Sequence, residues 1–598
     1  FAALAPADAQ AQHELGNLLS ALGMLREADV AQRRALALKP DLFPAQLASA
    51  QVLLRSYRYA DAETAARKAL GLDARSPEAW LMLGEAQLEL DRAAEAEQTF
   101  RAGLGAQPRD IELYRRLGNL LFIQGRTQEL IAHSRHMRQR CPDYFDVHVD
   151  LARGLLQAGE LAEAADVFAQ ALALRPQDLG VRDSWLFCCN YLAVLSPQAL
   201  FEHARAYGQH ASAAATAYTH WKCERAPARL RVGVVSGDLR THPVGYFLES
   251  VLGASDRGRI EWFAYATTRA NDGLTARLQQ QCSSFKVLAG LSAHDCARQI
   301  HDDAPHVLID LAGHTAENRL DAFAWRPAPV QVSWLGYFAT TGLAEMDYFL
   351  ADRVGVPEPA RQYFSEEVCY LPDTRLCFSV PEIAPDVAPA PAASKGFVTF
   401  GSFQVMRKLN DEVLAVWAEV LHGCARSRLR IQSDGLSDEA VCTAFRARAQ
   451  RLGIDPARLD LHPSESRTSY LQSHAHVDIL LDSFPFPGGT TTCEALWMGV
   501  PTVTLAGATL VARQGASLLS AAGLPDWIAE SRAEFIELAL AKAADIDALQ
   551  QLRMQLRERV RGSPLFDAPK FARNLDAALW QLWSASPQAL LTEGATTG

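Results

Sequence analysis

The chain has 598 residues, more than a single hydrophobic core organises, so several folding units are expected. Its hydrophobic fraction of 49% and charged fraction of 21% are those of a folded globular protein and exclude wholesale disorder. A formal net charge of -11 argues against a general nucleic-acid binder, because phosphate recognition draws on an excess of Lys and Arg.

No targeting or membrane segment is evident. No apolar run reaches the ~18 residues that a transmembrane helix requires, and no basic segment followed by an apolar one opens the chain. The 11 cysteines are scattered and never form a C-x-x-C pair, which disfavours a zinc site and a disulfide framework. The sequence therefore predicts a cytoplasmic protein with no membrane partner, and it leaves a homo-oligomer open.

The first predicted elements are paired helices that repeat with a period of about 34 residues. Three columns share this period: Pro6, Pro40, Pro108, Pro142 and Pro176, with Ala74 in the vacant place; Leu15-Gly16, Leu83-Gly84 and Leu117-Gly118; and Ala28, Ala62, Ala96 and Ala164, with Leu130 in the vacant place. Small residues let the helices of a hairpin approach closely, and proline marks the boundary between hairpins. The segment resembles tetratricopeptide repeats. We therefore expect an α-solenoid over residues 1–185 and a helical connector over 186–227.

A polar stripe with the same period follows the Leu-Gly column. It consists of Asn17, Gln51, Glu85, Asn119 and Arg153. Taken alone, the stripe favours a solvated helix face, since exposed helix faces are usually polar. The alternative is a ladder of amides and charges that binds the backbone of an extended peptide, with Asn17 and Asn119 as candidate acceptor-binding residues.

The second half of the chain is typical of α/β domains. Short β-branched runs alternate with helical stretches, which predicts parallel sheets. The predicted strands lie at 230–236, 306–311 and 330–334 in a first domain (228–380), and at 397–400, 429–431, 477–481 and 502–505 in a second (396–598). A Pro/Ala-rich linker, 381–395, separates them. Two such domains in series predict a site in the cleft between them, near the carboxyl ends of the strands.

The sharpest local motif is the run of residues 486–497, directly after the strand that ends at Asp482. Gly488 and Gly489 permit close backbone approach, and Thr490 to Thr492 expose hydroxyl and N–H groups at a predicted helix N-terminus, which can bind anions. Glu494, one turn later, can accept bonds from the two hydroxyls of a ribose. The alternative is an ordinary capping sequence, with Thr at the cap and Glu in the first turn.

A second motif, residues 401–408, follows the strand at 397–400. Lys408 can neutralise a pyrophosphate leaving group, although a lysine after a strand is usually only solvated. No Asp-x-Asp pair stands at a strand end, so the sequence predicts chemistry without a metal or other cofactor. His314 is a further candidate at a strand end.

Five motifs together resemble the O-linked N-acetylglucosamine transferases of glycosyltransferase family 41. They are His242-Pro243, Arg326-Pro-Ala-Pro-Val-Gln331, Trp334-Leu-Gly-Tyr337, Met346-Asp-Tyr348 and the Gly-Thr-Thr-Thr-Cys-Glu segment that ends at Glu494. The resemblance implies a GT-B fold of two Rossmann-like domains. It also implies inverting, metal-independent transfer from UDP-N-acetylglucosamine to Ser and Thr hydroxyls of intracellular proteins, which the repeats would bind.

The resemblance also implies roles for individual residues. His242 matches the proposed general base, His301 another active-site histidine, and Lys408 the lysine that holds the donor phosphates. The implied donor-binding residues are Gly336, Gln404, Arg467, Tyr470, Gly489, Thr490, Thr491 and Glu494, and His314 is added to them as a donor-binding candidate because of its place at a strand end.

Three positions depart from the family pattern. Tyr470 and Gly489 stand where the family has histidines, and the family's glutamine aligns with either Gln404 or Val405. Because related plant proteins transfer fucose from GDP-fucose, protein O-fucosylation is an alternative. A non-catalytic repeat scaffold is another.

Overall fold

The structure, a computed structural model, describes residues 7–192 and 195–590. The chain divides into two compact units, Phe1–Pro176 and Gln177–Gly598. Pro6, the first residue of the proline column, lies outside the described residues. None of the helices in the described ranges is long and apolar enough to span a bilayer.

The first unit consists of helical hairpins. Its helices are α1 (Ala9–Ala21), α2 (Leu25–Leu38), α3 (Phe43–Arg55), α4 (Tyr59–Leu72), α5 (Pro77–Glu89), α6 (Ala93–Ala106), α7 (Ile111–Ile123), α8 (Thr127–Arg140), α9 (Phe145–Ala158) and α10 (Leu161–Leu174). The odd-numbered helices begin one repeat period apart, as do the even-numbered helices, and Pro40, Pro108 and Pro142 each fall in a turn between hairpins. The predicted α-solenoid is confirmed.

Small residues and ion pairs hold successive hairpins together. The alanine column is fully buried, as is Leu130 in its vacant place. An arginine before each of α4, α6 and α8 pairs with an acid in the preceding even-numbered helix. These pairs are Arg58–Asp29, Arg92–Glu63 and Arg126–Glu97. Single exposed pairs contribute little, but a repeated network ties each hairpin to the next.

The second unit opens with a hairpin of α11 (Leu179–Cys189) and α12 (Pro197–Ala213). Helix α11 begins one repeat period after Phe145, so the repeat register continues into it, whereas α12 begins late by half a turn. The loss of register that the sequence suggests from Trp185 onwards therefore starts at the second helix.

The first lobe follows this hairpin. Its elements are β1 (Leu230–Ser236), α13 (Pro243–Ala254), β2 (Ile260–Ala266), α14 (Gly273–Gln281), β3 (Ser284–Val287), α15 (Ala293–Asp302), β4 (Val307–Asp310), α16 (Leu320–Phe323), β5 (Val330–Ser333), β6 (Tyr348–Ala351) and β7 (Glu367–Tyr370). All neighbouring strands are parallel, in the order β3-β2-β1-β4-β5-β6-β7. Val232 of β1 pairs with Trp262 of β2 and Val307 of β4.

The second lobe has the same architecture. Its elements are α17 (Pro391–Lys395), β8 (Thr399–Ser402), α18 (Asp411–Gly423), β9 (Arg428–Ser433), α19 (Glu439–Arg451), β10 (Leu459–Pro463), α20 (Arg467–Ser473), β11 (Ile479–Leu481), α21 (Thr490–Trp497), β12 (Thr502–Leu505), α22 (Leu510–Ala521), β13 (Ile528–Ala529), α23 (Arg532–Ala544), α24 (Ile546–Arg561), α25 (Ala568–Ser584) and α26 (Pro587–Leu590). The strand order is β10-β9-β8-β11-β12-β13.

Both sheets are Rossmann-like, as expected. In each, the chain adds strands outward on one side and then crosses to the other, so the order reverses between β1 and β4 and between β8 and β11. Loops that leave the carboxyl ends of these strands diverge to opposite faces, and the crevice between them is the usual ligand position.

Two segments cross between the lobes. The Pro/Ala-rich span lies along α24, where Arg557 donates to the Pro385 carbonyl at 2.7 Å and Arg553 to the Ala388 carbonyl at 2.6 Å. Helix α25, near the end of the chain, returns to the first lobe, where Asp576 accepts a hydrogen bond of 2.9 Å from the Ser255 hydroxyl. The lobes are thus tied together at the side where the chain passes between them.

Candidate active site

The predicted donor-binding residues of the second lobe converge at its order reversal. Gln404 and Lys408 follow β8, and the Gly488–Thr491 segment follows β11. Because β8 and β11 are neighbouring parallel strands, both loops leave the same edge of the sheet. The sequence-predicted lysine and glycine-threonine motifs therefore form one site.

Lys408 lies at the centre of this site. Its Nζ donates to the Pro487 carbonyl at 2.8 Å and to Gln404 Oε1 at 3.2 Å, and it lies 4.2 Å from the centre of the Phe486 ring. Burial lowers the pKa of Lys408 to about 7, although the nearby carboxyl of Asp482 acts in the opposite sense. The ammonium is thus held in place but poorly solvated.

A buried carboxylate holds the glycine-threonine segment. Asp482 Oδ1 accepts the Gly488 N–H at 2.7 Å, and a side chain on Gly488 would come within 2.5 Å of the Thr491 hydroxyl oxygen. Gln404 donates to that hydroxyl at 3.0 Å. The N-cap of α21 is Gly489, and no side chain caps the helix. The capping interpretation is therefore wrong, and the first N–H groups of α21 are open to an anion.

Glu494 and Arg467 form an ion pair at the cleft. Glu494 is buried, with 2% of its surface exposed, and its Oε1 lies 2.5 Å from Arg467 Nη1. Burial raises the pKa of Glu494, an effect that Arg467 opposes. The guanidinium of Arg467 lies 4.4 Å from the centre of the Tyr246 ring in the first lobe. Arg467 thus bridges the lobes, a contact that the sequence motifs do not reveal.

Tyr470 lies behind this ion pair. Its ring packs edge-on against Phe403 and His474, with ring centres 5.3 Å and 5.2 Å away. Burial raises the pKa of the Tyr470 hydroxyl, and the neighbouring Glu494 carboxyl raises it further. The residue that replaces a family histidine is therefore an uncharged wall of the site.

His242 lies in the first lobe, after strand β1. It is the N-cap of α13, one turn before Tyr246 on the same helix. The Val244 N–H donates to Nδ1 at 3.3 Å, and Asp238 Oδ2 lies 3.4 Å from the same nitrogen. The two contacts require opposite protonation states of Nδ1. Burial is the main cause that lowers the pKa of His242, so the neutral ring is favoured at neutral pH.

The structure contradicts the active-site position of His301. This residue lies in the last turn of α15, which precedes β4 and therefore ends at the amino edge of the sheet, opposite His242. Its Nε2 lies 2.9 Å from the His220 carbonyl, and its ring stacks on Tyr218. His301 holds the connector against the lobe.

The structure also contradicts a donor-binding role for His314. Its side chain is fully buried, with Nδ1 2.6 Å from Asp183 Oδ1 and Nε2 2.9 Å from the Thr341 carbonyl. Both ring nitrogens are occupied within the fold, so His314 joins α11 to the loop after β4 and does not line the cleft.

The remaining candidates, Gly336, Asn17 and Asn119, are not among the residues that surround Lys408. A side chain on Gly336 would meet the Leu311 carbonyl and Val244, so this glycine lies beside the helix that begins after His242. In the first unit, Asn17 accepts from Gln32 at 3.1 Å and contacts His13 at 3.1 Å. Asn119 lies within α7 with its side chain exposed, and that side chain makes no hydrogen bond to residues 7–192 or 195–590.

The order of the elements and the site agree with one family. Residues 209–380 and 392–575, more than half of the chain, match Glycosyl transferase family 41. The chain belongs to glycosyltransferase family 41. Residues 9–42 and 53–120 match the tetratricopeptide repeat. The resemblance noted from the motifs is therefore confirmed.

The plant and nematode relatives in this family are longer than this chain. A tomato relative, "Probable UDP-N-acetylglucosamine--peptide N-acetylglucosaminyltransferase SPINDLY", is 36% identical over 69% of this chain and 45% of its own length. "UDP-N-acetylglucosamine--peptide N-acetylglucosaminyltransferase" of Caenorhabditis elegans is 23% identical over 59% of this chain and 41% of its own. The chain thus spans less than half the length of these relatives.

A solved structure of an O-GlcNAc transferase matches nearly the whole chain. It is a mutant of the Thermobaculum terrenum O-GlcNAc transferase, 30% identical, with a TM-score of 0.72. The match covers 90% of this chain and 97% of that one. The succession of helical repeats and two Rossmann-like lobes is therefore shared with a transferase of similar length.

Proposed function

We propose that the protein transfers N-acetylglucosamine from UDP-N-acetylglucosamine to Ser or Thr hydroxyls of polypeptides, with inversion and without a divalent metal. One observation carries the proposal: the Lys408 ammonium and the uncapped start of α21 meet at the order reversal of the second sheet. The names of the plant and nematode relatives support both the donor and a peptide acceptor.

The donor diphosphate fits between Lys408 and the first N–H groups of α21. Thr490 and Thr491 present backbone N–H donors there. Glu494 is placed to accept hydrogen bonds from the ribose hydroxyls while it also pairs with Arg467. In the transfer, an acceptor oxygen bonds to the anomeric carbon as the bond to the phosphate oxygen breaks. The electron pair leaves with UDP, whose charge Lys408 and the helix amides stabilise.

His242 is positioned to take the proton of the acceptor hydroxyl. For Nε2 to accept it, Nδ1 must carry a hydrogen and donate it to Asp238 instead of accepting from Val244. The depressed pKa of His242 keeps the ring unprotonated at neutral pH. The helix that carries His242 also carries Tyr246, which contacts Arg467 across the cleft, so the base belongs to the same cleft as the donor site.

The repeats are proposed to bind polypeptide acceptors. The support for this is the periodic polar stripe, in which the exposed side chain of Asn119 is free to bond a peptide backbone, whereas Asn17 is bonded inside its own hairpin.

Within the described ranges, no three His, Cys, Asp or Glu side chains converge as the ligands of a metal ion would. At the proposed diphosphate position, the positive charge comes from Lys408.

The test is transfer from labelled UDP-N-acetylglucosamine to a protein acceptor, with UDP and GDP affinities measured in parallel. Lys408→Ala should lower kcat on the order of 10²-fold or more, because leaving-group stabilisation is a large catalytic contribution. His242→Ala should lower kcat far more than UDP affinity. The exposed Lys395, changed to Ala, is the matched control. Near-normal turnover of Lys408→Ala would overturn the site, and tighter binding of GDP would favour fucose transfer.

A further inference from the structure

A buried arginine lies between the lobes and plays no part in the mechanism above. Arg375 is fully buried, and its Nη2 donates to Gln514 Oε1 at 3.1 Å. Its Nε and Nη1 have no hydrogen-bond partner among the described residues. Its backbone, by contrast, is fixed: the N–H donates to Asp352 at 3.1 Å and the carbonyl accepts from Trp334 at 2.8 Å.

The Asp352 carboxylate opposes the effect of burial on Arg375 through its charge alone, without a hydrogen bond to the guanidinium. Asp352 accepts the Gly355 N–H and the Ser517 hydroxyl, each at 2.7 Å, in addition to the backbone of Arg375, and makes no bond to the guanidinium. Burial lowers the pKa of Arg375 to about 10. A buried cation with two unsatisfied guanidinium nitrogens costs stability, so stability alone does not explain why Arg375 is present.

The one side-chain partner of Arg375 leads to the donor site. Gln514 lies on α22, and its Nε2 is 3.5 Å from the Gly488 carbonyl. A Cβ placed on Gly489 would be 2.9 Å from the same nitrogen. Only the side chain of Gln514 therefore separates Arg375 from the segment that begins α21. Arg375 lies on the side of that segment opposite the proposed diphosphate.

We propose that Arg375 is a positioning residue for the donor diphosphate, acting through Gln514 on the Gly488–Gly489 segment and adding a fixed positive charge behind it. This inference rests on the proposed function. Both lobes contribute to it, since Arg375 follows the last strand of the first sheet and Gln514 lies in the second lobe.

The test compares uridine and UDP on Arg375→Met, which has similar length and no charge, and Arg375→Lys, which keeps the charge. One unit charge across roughly 10 Å, at an effective dielectric constant of about 20, changes affinity about tenfold. Arg375→Met should therefore lose about tenfold in UDP affinity, keep its uridine affinity, and unfold at a higher temperature because an unpaired buried charge is gone. Arg375→Lys should keep most of the preference for UDP over uridine.

The outcomes separate this inference from the donor assignment. If the unaltered protein does not prefer UDP to uridine, the proposed function fails and the inference fails with it. If it does, but Arg375→Met keeps the preference or loses both ligands equally, Arg375 is only structural. If Arg375→Met does not fold, Gln514→Met decides: a selective loss of UDP affinity supports the inference, and an unchanged preference overturns it.

Discussion

Donor binding should depend on pH through Lys408. Burial lowers the pKa of Lys408 to about 7 in the unliganded protein, compared with about 10.4 for an exposed lysine. That difference corresponds to about 5 kcal/mol of lost stabilisation of the ammonium. Each negative charge of a diphosphate within about 4 Å returns about 4 kcal/mol at an effective dielectric constant of about 20. Binding of UDP should therefore raise the pKa of Lys408 towards its ordinary value.

The size of the effect follows from the charged fraction before binding. At pH 8 about one tenth of Lys408 is charged, so each UDP bound should take up about 0.9 proton. Between pH 7 and pH 9 the Kd for UDP should rise about fiftyfold, as long as the bound ammonium stays charged. The direction is fixed: affinity is highest below the free pKa and is lost as the pH rises above it.

Calorimetry in buffers of different ionisation enthalpy measures both quantities. The range from pH 7 to 9 avoids titration of the terminal phosphate, whose pKa is about 6. Lys408→Arg is the matched control, because a guanidinium stays charged throughout, so its affinity should not vary and no proton should be taken up. The reasoning is refuted if the unaltered protein binds UDP equally well at pH 7 and pH 9 without proton uptake.

Three further predictions concern single carboxyl and imidazole groups. Asp238→Asn should lower kcat by about 10- to 100-fold with little change in UDP affinity, because the amide can donate to Nδ1 of His242 and favours the tautomer whose Nε2 cannot accept a proton; equal losses in both constants would contradict this. Because burial lowers the pKa of His242, kcat/KM should fall on the acid side only below about pH 6.5, and an acid limb above pH 7 would exclude His242 as the base. In the repeats, burial raises the pKa of Asp150 to about 6, and its Oδ2 has no partner among the described residues. The folded state then binds more protons than the unfolded chain between about pH 4 and 6, so this group's contribution to stability falls as the pH rises through that window. Asp150→Asn should raise the free energy of unfolding by up to about 3 kcal/mol at pH 7.5 and by little at pH 4.5 in urea titrations. Asp143→Asn, at an exposed position, is the control, and an equal gain at both pH values would show that charge is not the cause.

The repeat architecture could be predicted because its signal is local and recurs. A proline or a Leu-Gly pair at the same place in successive repeats reports directly on helix boundaries, and the helices begin with that same period. The predicted β-branched strands are all present. Strands such as β3 and β13 escaped prediction because they are short and lie at sheet edges, where burial imposes little pattern on the sequence.

The site was predictable only where its residues lie directly after strands that the sequence reveals. Lys408 and Thr490 follow strands that the sequence reveals, so their convergence follows from parallel topology. The donor-binding role predicted for His314 was wrong because its partner, Asp183, is 131 residues away in the sequence, and no local pattern indicates that contact. The active-site role predicted for His301 was also wrong. The sequence could have shown this, because a residue just before a strand lies at the amino edge of the sheet. The cytoplasmic location, the absence of a nucleic-acid partner and any homo-oligomer stay predictions.

Helix α25 has a consequence for biosynthesis. The first lobe is made early, but Phe571 stacks on Trp334, and Trp583 packs against His306, both in that lobe. A ribosome that has released the whole first lobe has not yet supplied the helix that covers it, so this lobe should complete its core only after the second has emerged. The repeats, whose contacts are between neighbours, face no such delay. The repeat array should therefore be folded before the cleft between the lobes is complete.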